Sequence, residues 1–172
     1  MSVGGPTVLA RLARGGLAAI DWTAGALIVL AMATMTTVVA VQVGLRYGLN
    51  QSLDWADEVS RLAFVWAVFL AIPLGVKRGS HVGMELLTGW LPGGVRRGLF
   101  RVVALLAMAL MVVVAWQAAI LARDQWDEPM STLDVSVGLF MLPLAIGAVH
   151  SVLHLLAGLV SGEPGRAVTA VE

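Results

Sequence analysis

The chain has 172 residues, of which 59% are hydrophobic and 13% charged, with zero net charge and a mean hydropathy of +0.88. A soluble domain carries about a quarter charged residues, so lipid is the expected solvent for much of this chain, and no basic field argues for nucleic acid. With no cysteine, disulfides, thiolate metal sites and cysteine nucleophiles are excluded.

Residues 1–20 read as a tail in which Arg11 and Arg14 precede Gly15 and Gly16. The apolar core of a signal peptide is short, about 7–15 residues, and ends at a small-x-small cleavage site. The charge-free run 22–45 is longer and has no convincing site of that kind, so it is expected to be an uncleaved first span. A helix needs about 20 apolar residues to cross the hydrocarbon core. Leu62 to Val76 is charge-free for only 15 residues, about 22 Å of helix at 1.5 Å per residue. The second span must therefore begin earlier, and 55–76 is expected. Residues 80–91 place Val82, Leu86 and Trp90, and Leu87 and Leu91, at helical spacing opposite His81, Glu85 and Thr88, and then stop at Pro92-Gly93-Gly94. This reads either as a short helix lying in the membrane interface or as a turn with some apolar residues. Spans three and four are expected at 102–122 and 135–162, with Pro73 and Pro143 as candidate kinks, and a second tail at 163–172. The predicted fold is an all-α integral membrane protein. It has four transmembrane helices within 21–162 and a short interfacial amphipathic helix between spans two and three.

Lysine and arginine in short loops set orientation. Eight of the eleven lie in the two tails and the loop between spans two and three; Arg46, Arg61 and Arg123 lie on the other side. Both termini are expected to be cytoplasmic. Asp54, Asp57, Glu58, Asp124, Asp127, Glu128 and Asp134 then make the outer face acidic. Trp22, Trp55, Trp90 and Trp126 fall near predicted interfaces, whereas Trp66 and Trp116 fall inside spans, to pack between helices or face lipid.

The charges at the start of the second span have two readings. Asp57 and Arg61 form an i,i+4 pair in the favourable order, and carboxylates at a helix N-terminus complement its dipole, which is all that a wet helix end requires. Alternatively these groups are partly buried against another subunit, since a desolvated charge needs a partner. Within the charge-free runs 22–45, 62–76, 102–122 and 135–162 there is no Asp, Glu, Lys or Arg. An ion-coupled transporter usually needs an ionisable residue or a broken helix near the midplane. Gln42, Gln117, Thr34, Thr36 and Thr37 remain, and such residues more often join helices. His150 and His154, at i,i+4, have metal-binding spacing, but bis-histidine haem wants ligands on facing helices, and polar contacts near the helix end are the simpler reading. Thr36, Ala40, Gly44 and Gly48, and Ala115/Ala119 with Ala118/Ala122, form small-residue ladders that permit close helix approach.

Arg46-Tyr47 closes the first span. Leu53-x-Trp55-x-x-Glu58-x-x-Arg61, Phe64-x-Trp66, Phe69-Leu70 and His81-Val82 follow in order. This series resembles the small membrane subunit of TRAP transporters, the DctQ-like permease family. The strongest part of the match covers 40–90; Val82 in place of a frequent isoleucine, and Asp57 beside Glu58, are conservative departures. The resemblance implies a bacterial inner-membrane protein that is not an enzyme and carries no cofactor or metal. It also implies two partners: a large DctM-like membrane subunit holding the sodium and substrate sites, and a periplasmic DctP-like binding protein delivering an organic anion, often a carboxylate. Arg46, Tyr47, Trp55, Asp57, Glu58, Arg61, Trp66 and His81 become the candidate subunit-interface or structural motif. Two other classes share the span count: a stand-alone small exporter, which relies on a membrane-embedded glutamate missing here, and a haem- or quinone-binding membrane anchor.

Overall fold

In lipid every backbone N–H and C=O must be satisfied within the protein, and a helix does this within one segment. The computed structural model describes residues 8–77 and 93–161. The expected interfacial helix at 80–91, its His81 and the tail 163–172 lie outside the described residues. Helix α1 runs Val8–Gly48, α2 Ala56–Lys77, α3 Gly93–Asp124, and α4 Leu142–Ser161 behind a 3-10 turn at Val137–Phe140. Among the described residues, four stretches are long and apolar enough to cross a membrane: Gly15–Gly48, Ala56–Lys77, Gly98–Asp124 and Val137–Val160.

The helices stand in a row rather than a closed bundle. α1 packs on α2, α2 on α4, and α4 on α3, so the last two helices exchange their chain order. The buried core is thin and made mostly of alanines, Ala24, Ala56, Ala67, Ala104, Ala118, Ala122 and Ala148, with Leu70 and Met130. Small residues let backbones approach where lipid supplies no hydrophobic drive between helices. Ala118 and Ala122 use their ladder inside the chain. That on α1 is turned outward, with open space around Gly44 and Gly48.

The central α2–α4 contact is organised by two prolines. Pro73, fully buried, has no N–H, so the carbonyl of Phe69 lacks its i+4 donor. Gly147 of α4 fills that place, so closely that an added Cβ would lie under 3.0 Å from Phe69 O. Pro143, in turn, leaves the carbonyl of Leu139 without its i+4 donor, and Trp66 of α2 supplies one: Nε1–H donates to Leu139 O at 3.2 Å. Pro143 stands in the first turn of α4, where proline is tolerated. It starts that helix instead of kinking it.

Candidate functional site

Polar chemistry gathers toward the two ends of the helices. At the end where α2 begins, α1 closes through Asn50, whose positive φ of 54° turns the chain, a conformation asparagine tolerates. The amide of Gln51 then donates back to Leu45 O at 3.1 Å. Asp57 and Glu58 occupy the first turn of α2. Asp57 Oδ2 meets Arg61 Nη2 at 2.8 Å, but the two side chains are 72% and 65% exposed. Glu58, still open to the rim, turns onto the segment after α3. Its Oε1 accepts from Ser131 N at 2.8 Å, and its Oε2 accepts from Thr132 N at 3.1 Å and from Thr132 Oγ1 at 2.6 Å. That segment also closes on itself. Met130 N donates to Val135 O at 2.8 Å and Val137 N to Glu128 O at 2.9 Å. Ser136 Oγ donates to Gln125 O and accepts from Gly138 N. Gly138 is required here, because a Cβ would stand 2.6 Å from Ala122 O. Glu58 therefore joins the start of α2 to the connection between α3 and α4.

The remaining motif residues divide. Arg46 and Tyr47, in the last turn of α1, point outward, Tyr47 at 81% exposure, and Trp55 is partly exposed just ahead of α2. Trp66 is used inside the chain, on Leu139. Trp116, the other tryptophan within a span, faces outward. His81 is outside the described residues.

At the opposite end lies a cluster of which sequence reasoning singled out the histidine pair but missed the carboxylate. Asp21 of α1, one residue ahead of the charge-free run, receives Lys77 Nζ from α2 on Oδ2 at 2.6 Å. Its Oδ1 lies 2.9 Å from His150 Nε2 and 2.7 Å from His154 Nε2, both on α4. The two Nε2 atoms are 3.0 Å apart. Bis-histidine haem places its ligands on opposite faces of the iron; these nitrogens converge from one helix on one carboxylate oxygen. The signal in the sequence was a lone carboxylate at the lip of an apolar run and a histidine pair near the matching end of another. Nothing in either segment says that the two meet.

Charges thus mark the ends of the spans, and no Asp, Glu, Lys or Arg lies midway along any described one. The family model for the DctQ component of tripartite ATP-independent periplasmic transporters matches residues 35–163. The chain belongs to the DctQ family. It resembles the sialic acid TRAP transporter small permease protein SiaQ of Vibrio cholerae, 28% identical over 128 residues, which are 73% of this chain and 72% of that protein. It also resembles the ectoine TRAP transporter small permease protein TeaB of Halomonas elongata, 33% identical over 103 residues, 60% of this chain and 52% of that one. The isethionate TRAP transporter permease protein DctMQ of Oleidesulfovibrio alaskensis is 26% identical over 97 residues, 54% of this chain but 15% of that much longer protein. As a DctQ small permease subunit the chain is a multi-pass inner-membrane component of a transporter, not an enzyme. TRAP small permeases work with large permease subunits and periplasmic binding proteins. The matched region contains every candidate motif residue from Arg46 to His81.

Proposed function

We propose that this chain scaffolds the large permease subunit of a TRAP transporter. That transporter takes up an organic anion of the carboxylate class with sodium, delivered by a periplasmic binding protein. The observation that carries this reading is the row of helices with no Asp, Glu, Lys or Arg midway along its described spans, the two histidines of α4 being turned to Asp21. Coupling to an ion needs a charged group or a broken helix near the midplane, and Asp21 and Glu58 stand at opposite ends. The row also leaves broad apolar faces uncovered within the chain, including Val29 and Leu30 on α1 and Leu105, Leu106 and Val113 on α3. A large membrane partner and lipid share the covering of such faces.

The orientation follows from the loop charges: the Asp21 end, which carries both tails and the basic loop, is cytoplasmic, and the Glu58 end is periplasmic. Arg46, Tyr47, Trp55, Asp57 and Arg61 then form an outward-facing periplasmic rim for the large subunit, while Glu58 and Trp66 hold the rim in shape from inside the chain. Reconstitution tests this. Liposomes holding this chain with its large subunit accumulate substrate only when the binding protein and a sodium gradient are supplied. Uptake by liposomes holding this chain alone would overturn the scaffold reading.

A further inference from the structure

The Asp21 cluster contains more convergence than hydrogen bonding uses. Asp21 Oδ1, His150 Nε2 and His154 Nε2 form a triangle with edges of 2.7, 2.9 and 3.0 Å. Two imidazoles bring at most two protons to these three atoms, so at least one edge has no hydrogen along it, and with both rings in the Nδ1–H tautomer all three atoms present lone pairs to the same point. A cation seated above the triangle would engage all three lone pairs together. We propose that Asp21, His150 and His154 form a binding site for a divalent transition-metal ion, independently of the scaffold role.

The geometry fits that ligand class. An octahedral face built on metal–ligand bonds of about 2.1 Å has edges of about 3.0 Å, and two histidines with one carboxylate are a common facial set for such ions. The donors are held in place. His150 is 3% exposed, its ring stacks at a tilt on His154 with centroids 4.8 Å apart, and both stand one turn apart on α4. Lys77 takes Oδ2 of the carboxylate and leaves Oδ1 turned to the histidines, the outer-sphere arrangement that orients a metal-binding carboxylate. Lys77 is itself half exposed, so the site has a polar approach from the rim. Its place in the fold suits a staple. α1 and α4 lie on either side of α2 along most of the row and meet at this end, and an ion held by Asp21 and both histidines would tie their ends together.

The test uses the full chain, purified in detergent on a tag without histidine, and loaded with Co2+ and then Zn2+. The expected result is one equivalent of metal per chain by elemental analysis, with visible Co2+ bands that Zn2+ removes and a rise in thermal midpoint with Zn2+. His154→Gln and Asp21→Asn, each checked for helix content and a single gel-filtration peak, abolish all three readouts. Lys77→Met keeps the ligands and lowers affinity by about 10–100-fold, as loss of an outer-sphere partner does. No binding above background by the unaltered chain, or equal binding by the His154→Gln and Asp21→Asn variants, would overturn the proposal.

Discussion

Gly147 of α4 rests against the backbone carbonyl of Phe69 in α2, the carbonyl that Pro73 deprives of its helical donor. Cα–H···O contacts of this kind recur at helix–helix interfaces. They let a proline stand inside a span without an orphaned carbonyl facing lipid. Gly147→Ala drives a Cβ into Phe69 O, and because the obstacle is backbone, no rotamer change relieves it. The expected cost is about 1–3 kcal/mol, the usual range for overpacking, seen as a lower thermal midpoint in detergent. An unchanged midpoint would show that the crossing is looser than described.

Trp66→Phe keeps most of the ring and removes the donor to Leu139 O. Pro143 cannot replace it, so the carbonyl is left without either partner. Stability should fall by about 0.5–1.5 kcal/mol, the net worth of one hydrogen bond. Trp66→Phe combined with Pro143→Ala should recover part of that loss by restoring an i+4 donor; thermal unfolding of the single and double variants measures both.

Glu58→Gln keeps the side chain's shape but loses the charge that makes its bonds to Ser131 and Thr132 roughly twice as strong as neutral ones. Hydrogen exchange at the Ser131 and Thr132 amides should quicken in Glu58→Gln and more so in Glu58→Ala, while α1 is unaffected. Equal exchange in all three proteins would free Glu58 from this structural role.

Arg61→Ala breaks a pair that is largely exposed on both sides. Such i,i+4 pairs contribute about 0.3–0.5 kcal/mol, so the thermal midpoint of the isolated chain should hardly move. The proposed periplasmic rim nonetheless predicts weaker co-purification with the large subunit and slower uptake. Full co-purification of Arg61→Ala would remove this residue from the interface.

Much of the fold was legible because hydropathy along a chain is a local property. Four apolar stretches of sufficient length define four helices whatever they pack against, and the shortness of 62–76 already requires α2 to take in its charged first turns. The Leu53–Trp66 motif was legible for the same reason, as residue types in order, and led to the family. The use of those residues was not. Glu58 and Arg61 look equivalent on paper, yet one turns onto a loop 73 residues away and the other stays in solvent.

The sequence by itself therefore determined the lipid solvent, the four spans, the family and the absence of charge from the middle of the spans. Only the tertiary structure decided the order of helices in the row, and with it every partnership across them. Asp21 meets His150 across 129 positions of sequence, and Phe69 meets Gly147, because α4 lies beside α2 and the ends of α1, α2 and α4 come together. That order is set by which small-residue faces and which proline-freed carbonyls fit one another, and no one-dimensional pattern encodes such a fit.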